Sequence, residues 1–333
     1  MTALSPSSGP GAGSVMSSLA MRHRSMVREF AKSMGQDGEA PYAQVYSSPV
    51  APEERQVLRV RLADGDYALK VDTTGPETQR LIKEYALLEE IHAHFADKPK
   101  LGSPEPVYLA ENGSFFVTRY LDYQTAGGRL KDTDKDQVRR QVFRRVGSWL
   151  SALQSTRPQR KGKCRSLWMA RELDGILEQG TSQADAAWLK DMRDALAMEA
   201  AEWNDIRTLR AFSHGDFHSE NIILGPGMTY GLDLTEAREK LAVYDIVDFL
   251  KVDIYRKSPV EELDGAGITR MHREMFFRGY KHDVDPALVD VMLKGRMLID
   301  FASISRNEYG ARFEAQSLYA GLERRLRHAF RDV

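Results

Sequence analysis

The sequence has little of what several classes of protein depend on. Among its 333 residues there is one cysteine, Cys164, which excludes an internal disulfide and a metal site built from cysteines alone. No uninterrupted apolar run approaches the ~18–20 residues that a membrane-spanning helix requires. We therefore expect a globular protein without a membrane span, and place it in the reducing cytoplasm, where free cysteine is the usual state.

The chain also lacks a large net charge of either sign. The 47 lysine and arginine residues are balanced by 48 aspartate and glutamate residues, which gives a formal charge of −1. This balance offers no case for a nucleic acid or a membrane surface as partner. The length allows one large domain or two of medium size, and the oligomeric state is left open.

The stretch most concentrated in chemically active groups is 212–224, FSHGDFHSENIIL. It is a polar loop that runs directly into a short apolar strand, with Asp216 and Asn221 five residues apart. A second apolar strand then leads to Asp233. Two carboxylates and a carboxamide on neighbouring loops are what phosphoryl transfer from a metal–nucleotide complex needs.

The spacing His-x-Asp-x-x-x-x-Asn resembles the catalytic loop of protein-kinase-like enzymes. With Gly215 at its second position, HGDFHSEN is more similar to the aminoglycoside and choline phosphotransferase family than to protein kinases. After Asp233 the chain has Leu-Thr-Glu-Ala, where protein kinases have Phe-Gly. The resemblance implies transfer of the γ-phosphoryl group of ATP or GTP, with Mg²⁺, to a hydroxyl of a small molecule such as a sugar, amino-alcohol or aminoglycoside.

The resemblance also implies roles for single residues. Asp216 would orient and deprotonate the acceptor hydroxyl, while Asn221 and Asp233 would bind Mg²⁺. His214 would support the loop by packing and hydrogen bonding, and Asp245 would pair with the loop backbone. The plainer alternatives are that Asp216 makes a turn and that Asn221 caps one. His218 and Glu220 are further candidates for contact with substrate or metal.

Lys70, in the apolar stretch Ala-Leu-Lys-Val, resembles the strand lysine that binds the α- and β-phosphates. An inward-facing lysine needs an anionic partner because an unpaired buried charge is unfavourable. Glu84 on the following helix is the predicted partner, with Glu89 or Glu90 as substitutes. The alternative is that Lys70 ends a strand and reaches solvent.

Glycine is missing where a kinase usually has a glycine-rich loop over the phosphates. The corresponding stretch 45–52 is VYSSPVAP, in which Ser47 and Ser48 are the candidate hydroxyl and amide donors; a plain connection is the alternative. The stretch 116–121 resembles the hinge between lobes, where the backbone of Arg119, Tyr120 and Leu121 would bond the adenine edge.

The predicted fold is α+β and two-lobed, similar to protein kinases. Residues 1–36 are expected to form a disordered tail and one short helix. A small antiparallel-sheet lobe with one helix follows over 37–121, with strands at 56–62, 67–71, 107–109 and 115–121 and the helix at 76–95. A large, mainly helical lobe covers 122–333, with an exposed basic loop at 159–163. The nucleotide would bind in the cleft between the lobes.

The acceptor is not determined by the sequence. An aminoglycoside would require several carboxylates, for which the carboxy-terminal part offers Glu261, Glu262, Asp264, Asp283, Asp285 and Asp290. The basic stretch 323–328 would instead suit an anionic acceptor, and Trp149 is one of the aromatic residues that could line a pocket. Two rival functions stay open: a kinase acting on lipopolysaccharide sugar or on protein, and a pseudokinase-like binding module.

Overall fold

A computed structural model describes residues 12–74 and 79–333 of the chain. Within them the strands are β1 (Tyr42–Ser47), β2 (Arg55–Leu62), β3 (Gly65–Asp72), β4 (Leu101–Gly102), β5 (Pro106–Leu109), β6 (Phe115–Arg119), β7 (Arg160–Lys163), β8 (Arg207–Ser213), β9 (Ile222–Leu224), β10 (Thr229–Gly231) and β11 (Arg238–Leu241). The helices are α1 (Ala12–Ser33), α2 (Gln79–Phe95), α3 (Ala126–Lys131), α4 (Asp136–Leu153), α5 (Trp168–Gln179), α6 (Ala186–Trp203), α7 (Val243–Leu250), α8 (Arg270–Gly279), α9 (Pro286–Ser303), α10 (Arg306–Ala311) and α11 (Phe313–Ala329).

These residues form two compact units. The first runs to residue 96 and resumes over 103–122, and the second comprises 97–102 and 123–333. The sequence predicted one boundary near residue 122 and no excursion before it. The excursion exists because β4 pairs in parallel with β10 of the second unit, and a two-residue strand gives no periodic signal.

The first unit is built on a five-stranded antiparallel sheet in the order β1-β2-β3-β6-β5. Apolar residues alternate with polar ones along β2 and β3, so that Leu58, Val60, Tyr67 and Leu69 are all fully buried on one face. The period of two that predicted strands at 56–62 and 67–71 arises from this one-sided burial.

Helix α1 corrects the expectation for residues 1–36. It begins at Ala12, within the stretch predicted to be disordered, and residues 1–11 of that stretch lie outside the described part. Met26, Val27, Phe30 and Ala31 are buried against the apolar face of the sheet. Spacings of three and four residues place these side chains on one side of the helix, so α1 is part of the core of this unit.

Helix α2 lies against the opposite face of the same sheet. The ring of Tyr85 is 5.7 Å from that of Phe116, whose register partner on β3 is Lys70. The unit therefore contains two helices, where the sequence predicted one. Lys70 alternates with the buried Leu69 and so points to the α2 side of the sheet.

The second unit is mainly helical. Helix α9 lies at its centre, with ten of eighteen residues buried, and α5, α6, α7 and α11 all pack on it. After β11 the chain forms α7 and then a 3-10 helix over Lys251–Tyr255. Among the residues described, no helix has the length and apolar character to cross a membrane.

Two small sheets position the polar loops of this unit. One has the order β4-β10-β9 and the other β11-β8-β7, the latter antiparallel throughout. The basic segment at 159–163, expected to be a loop, is strand β7 at an edge of the second sheet. Glycine and charged residues have low strand propensity, which is why no strand was predicted there.

Candidate active site

The polar loop after β8 is fixed through its backbone by Asp245. One carboxylate oxygen accepts the His214 N–H at 2.8 Å and the other accepts the Gly215 N–H at 2.9 Å. Asp245 is fully buried on α7, and burial raises the pKa of its carboxyl to about 6, although the two backbone N–H bonds favour the ionised form. The backbone pairing expected for Asp245 is present.

Gly215 occupies a position that other residues do not fit. Its φ of +88° lies in the region that only glycine adopts readily. A Cβ atom here would also lie 2.2 Å from the carbonyl oxygen of Glu236. The glycine of the HGDFHSEN motif thus allows the chain to turn sharply enough to present the next residue, Asp216.

His214 packs beneath the loop and does not face solvent. Its Nε2 donates to the Leu232 carbonyl at 2.7 Å, and its Nδ1 accepts the Asp216 N–H at 3.4 Å. Complete burial lowers the pKa of the imidazole to about 4. A neutral, fully engaged ring suits the supporting position predicted for His214 and is a poor general base.

Asp216 presents its carboxylate at the surface of the loop, with the side chain 55% exposed. His218 lies beside it, with Nε2 3.5 Å from Asp216 Oδ2. This interaction lowers the pKa of Asp216 and raises that of His218. Asp216 is therefore ionised at neutral pH and can accept a hydrogen bond from a hydroxyl group.

The β9–β10 hairpin brings the two predicted metal ligands to the same end. Ile222 pairs with Gly231, and the Leu232 N–H donates to the Asn221 carbonyl at 2.8 Å, so Asn221 and Asp233 flank the last paired residues. The Asn221 side-chain amide donates to the Asp216 carbonyl at 2.9 Å. That bond leaves the side-chain oxygen of Asn221 as the atom that a cation would use.

Asp233 has a left-handed backbone conformation, with φ of +54°. Such a conformation is unfavourable by about 1–2 kcal/mol for most residues, though aspartate and asparagine tolerate it best. The Thr235 hydroxyl donates to Asp233 Oδ1, and holds the carboxylate in one orientation. Thr235 was not predicted from the sequence, although the Asp-x-Thr spacing is typical of side chain–backbone turns.

Lys70 and Glu84 form an ion pair in the first unit. Nζ of Lys70 lies 2.7 Å from Glu84 Oε1, and the two side chains are 23% and 5% exposed. Glu84 is thus the partner among the three glutamates considered. The pair keeps the ammonium group extended on the α2 face of the sheet.

Comparison with a family model decides the family. The model described as the phosphotransferase enzyme family matches residues 49–277. The chain belongs to this phosphotransferase family. No individually curated protein matches the sequence significantly. The match includes Lys70, Glu84 and the whole of the HGDFHSEN loop, so this chain is a phosphotransferase acting on a small molecule, and its fold is the protein-kinase-like α+β fold predicted from the sequence.

Solved structures agree on the fold. A spectinomycin phosphotransferase in complex with ADP and spectinomycin is 12% identical, with coverage of 92% of this chain and 94% of that one and a TM-score of 0.55. The GDP complex of aminoglycoside 2'-phosphotransferase-IIIa is 14% identical, covering 94% and 99%, with a TM-score of 0.58. A choline kinase from Streptococcus pneumoniae is 14% identical, covering 91% and 99%, with a TM-score of 0.55.

The phosphotransferase uses its two candidate phosphate-loop serines within the loop itself. Ser47 is the last residue of β1, and its hydroxyl donates to the Pro52 carbonyl at 3.0 Å. Ser48 is buried, and its N–H donates to the Arg55 carbonyl at 2.9 Å. The Ser47 hydroxyl and the Ser48 N–H thus have partners within the chain itself, and a role for these two serines in phosphate binding stays a prediction.

The candidate hinge is likewise partly occupied. The Arg119 and Tyr120 N–H groups donate to the carbonyls of Glu105 and Asp66, each at 3.0 Å. These two N–H groups therefore already have backbone partners, although the sequence predicted that the backbone of this stretch would bond the adenine edge. The backbone of Leu121 remains a candidate for that contact.

A cavity of about 1260 Å³ lies within the second unit of the phosphotransferase, with His218, Ser219 and Glu220 of the catalytic loop in its wall. Its charged lining is balanced. The carboxylates are those of Asp134, Glu220, Asp248, Asp300, Glu308 and Glu314, and the cations are those of Lys131, Arg139, Lys251, Arg256, Lys257 and Arg312. Tyr255 and Phe313, 61% and 78% exposed, also line it.

Several residues proposed from the sequence for the acceptor pocket have structural contacts instead. Asp264 and Asp290 both pair with Arg273, and the Asp285 side chain caps α9 by accepting the Ala287 N–H. Trp149 is fully buried and donates to the Gly102 carbonyl at 2.7 Å. The cavity wall comes from other segments.

Two residues outside the HGDFHSEN loop donate hydrogen bonds to it and were not predicted from the sequence. The Lys240 ammonium donates to the Gly215 carbonyl at 3.1 Å. The Thr125 hydroxyl donates to Glu220 Oε2 at 2.6 Å, which orients the carboxylate that borders the cavity. Both partners are distant in sequence, and no local pattern indicates them.

Proposed function

We propose that this phosphotransferase moves the γ-phosphoryl group of ATP or GTP to a hydroxyl group of a small molecule. The observation that carries the proposal is the convergence of Asp216, Asn221 and Asp233. All three lie at one end of the β9–β10 hairpin, and Asp245 holds the backbone of the loop that carries Asp216 and Asn221. A set of oxygen ligands beside an exposed carboxylate is what phosphoryl transfer to an alcohol requires.

Asp216 acts on the acceptor. Its ionised carboxylate accepts a hydrogen bond from the acceptor hydroxyl and directs the oxygen toward the phosphorus atom. The transition state of phosphoryl transfer is loose, so this orientation counts for more than early removal of the proton. The proton moves to the carboxylate as the new P–O bond forms and the bond to the departing diphosphate breaks.

Asn221 and Asp233 would hold Mg²⁺. The donor set fits this ion, since Mg²⁺ binds oxygen and in nucleotide sites takes one or two protein ligands, with phosphates and water completing its shell. When bound, the ion neutralises charge on the phosphate oxygens. The left-handed backbone of Asp233 and its bond from Thr235 keep the carboxylate oriented for this role.

Lys70 would bind the nucleotide phosphates, with Glu84 keeping its ammonium group extended. Leu121 would contribute backbone groups to the base. The related structures contain ADP in the spectinomycin phosphotransferase and GDP in the aminoglycoside enzyme, so both purine nucleotides are candidates. Dependence on a nucleoside triphosphate places the reaction in the cytoplasm.

The acceptor that fits the cavity has little net charge. An aminoglycoside carries several ammonium groups, and a net negative lining would attract it. Here six carboxylates face six cations. Charges of both signs are already paired, since Asp300 lies 2.5 Å from Lys251 within the lining, Asp248 pairs with Arg296, and Arg256 pairs with Asp136. The exposed rings of Tyr255 and Phe313 offer apolar faces on which a sugar or another flat ring can stack.

The test is acceptor-dependent consumption of ATP and GTP by the wild type and by Asp216→Asn. Neutral glycosides and polycationic aminoglycosides serve as the two acceptor classes. We expect turnover with neutral glycosides, falling by about 10²–10⁴-fold in Asp216→Asn, while Mg²⁺-dependent nucleotide binding is retained. Wild-type turnover in Asp216→Asn would refute the assigned role, and a preference for polycations would refute the acceptor class.

A further inference from the structure

The sheet β11-β8-β7 carries a concentration of positive charge that the proposed reaction does not use. β7 lies at one edge of this sheet and β11 at the other, with β8 between them. The sequence singled out the segment around β7 as basic and exposed, and residues 157–165 contain five cations and no carboxylate, RPQRKGKCR.

The strand register places most of these cations on one face. Lys163 is opposite Arg207 and Lys161 is opposite Leu209. On the other edge, Lys240 is opposite Ala211 and Arg238 is opposite Ser213. Residues directly opposite each other share a face, as do alternate residues along a strand. The face therefore carries Lys161, Lys163, Arg207, Arg238 and Lys240, which together we name the basic face.

The charge of the basic face is mostly uncompensated. Asp205, beyond the end of β8, lies 3.5 Å from Lys163 and 3.2 Å from Arg165. Lysine opposite arginine on paired strands is repulsive, and the chain as a whole has a charge of only −1. Charged side chains do protect an edge strand from aggregation, but charges of mixed sign achieve this without self-repulsion.

Four of the five cations of the basic face are accessible, whereas Ala211 and Ser213 beside Lys240 and Arg238 are buried. Lys161, Lys163, Arg207 and Arg238 are exposed. Lys240 is half-buried, and its ammonium donates to the carbonyl of Gly215, the residue before Asp216. The cations thus extend along β8, a strand of seven residues and ~20 Å in length, to the start of the active-site loop.

We propose that the basic face is a docking surface for an acidic polypeptide segment. An extended peptide can add to the open edge of β7, and its carboxylates would then meet the lysines of that strand. The uncharged residues of the face are Leu209, Ala211 and Ser213, without an aromatic ring on which the bases of a single-stranded nucleic acid could stack. Ala211 and Ser213 are buried, so the face lacks the exposed apolar groups that insert into a membrane.

Fluorescence anisotropy with a labelled oligoglutamate peptide tests this proposal on the full-length protein at low ionic strength. The variant is K161E/K163E/R207E, and the matched control is K190E/R306E/R331E, which reverses three exposed cations located elsewhere. We expect the peptide to bind the wild type and to bind the first variant about tenfold or more weakly, because each removed ion pair contributes modestly. The control variant should bind the peptide like the wild type. Added salt should weaken peptide binding by the wild type and by the control variant.

A labelled oligothymidylate and phosphatidylserine vesicles are the competing probes. Tighter binding of either one than of the peptide would overturn the proposal, as would equal loss of peptide binding in the control or absence of peptide binding at low salt. If the charge-reversed variant does not fold, K161Q/K163Q/R207Q replaces it. Thermal unfolding in the presence of Mg²⁺ and ATP verifies that the nucleotide site is intact in each protein.

Discussion

The surroundings of single residues in the HGDFHSEN loop shift their protonation equilibria. His214 is neutral because complete burial lowers the pKa of its imidazole, and its two ring nitrogens have partners in the Leu232 carbonyl and the Asp216 N–H. His218 beside Asp216 lowers the pKa of that carboxyl further below its ordinary value. The protonation states of the loop are therefore set by contacts within the loop itself and with the hairpin that follows it.

His214 should make folding stability depend on pH. Its pKa is about 4 in the folded protein and about 6.5 when unfolded, so the unfolded chain binds the proton first as the pH falls. The stability present above pH 6.5 is lost toward pH 4, by up to about 3 kcal/mol. We expect the free energy of unfolding of wild type relative to His214→Gln, measured by urea denaturation, to decrease over this interval.

Glutamine keeps a donor for the Leu232 carbonyl but does not titrate, which makes His214→Gln the matched comparison. Asp245 titrates in the opposite sense, because its raised pKa favours the folded state at lower pH, yet it is present in both proteins and its contribution cancels in the difference. An unchanged difference between neutral and acidic pH would mean that His214 is not held neutral by burial.

The ion pair between Lys70 and Glu84 should contribute to folding stability. Lys70→Met removes the ammonium group that lies 2.7 Å from the Glu84 carboxylate, which is 5% exposed. We expect a loss of about 1–3 kcal/mol in unfolding free energy, less than for a fully buried pair since Lys70 is 23% exposed. The double variant Lys70→Met/Glu84→Leu should recover part of this loss, whereas strictly additive effects would show that the two side chains do not interact.

At the scale of elements, the active site depends on sharp connections between short strands. β8 ends where Asp245 accepts the backbone N–H groups of the loop, and the chain turns at Gly215. The β9–β10 hairpin then leads to Asp233 at the same end as Asn221. None of these strands is long enough to be stable alone. Their stability comes from the helices on which they pack, including the Trp149 ring of α4 that stacks on Phe217.

Gly215→Ala should therefore disrupt the loop more than an equivalent substitution elsewhere. Gly180 at the end of α5 has a similar φ of +63°, and a methyl group added there would meet nothing within 4 Å, whereas Gly215 would place its Cβ against the Glu236 carbonyl. We expect about 1 kcal/mol of destabilisation for Gly180→Ala and at least about 2–3 kcal/mol for Gly215→Ala. Thermal denaturation of both variants measures this, and equal losses would contradict the close approach.

The elements also show what the sequence could and could not predict. The alternation of β2 and β3 and the spacing within HGDFHSEN are local, so the strands, the Lys70–Glu84 pair and the loop were predictable. Helix α1 was predicted only as one short helix within residues 1–36, because the serine- and glycine-rich stretch at its start has no helical pattern of its own and the helix is stabilised by packing of Phe30 and its neighbours on a distant sheet. The partners of Ser47 and Ser48 were not predictable, because the path of the chain after β1 decides where their groups donate.

Over the whole molecule, charge is balanced in total and unequally distributed. The cavity proposed for the acceptor combines segments as distant as Gly127, Asp248 and Phe313, so the balance of charge in its lining follows from the fold and not from any one segment. The basic face concentrates cations on a separate sheet. The net charge of the chain predicted neither the balanced cavity lining nor the basic face, because it sums charges that the fold places on separate surfaces.

Asp233 is proposed to bind a metal–nucleotide complex, and we would test this first by thermal unfolding with ATP and GTP, each with and without Mg²⁺. Asp233→Asn is the variant of choice, because asparagine tolerates the left-handed backbone and keeps the oxygen that accepts from Thr235. We predict a Mg²⁺-dependent stabilisation of about 2.7 kcal/mol at a hundredfold excess over the dissociation constant, lost in the variant. No Mg²⁺-dependent stabilisation of the wild type, or an equal stabilisation of Asp233→Asn, would contradict the binding of the metal–nucleotide complex by Asp233.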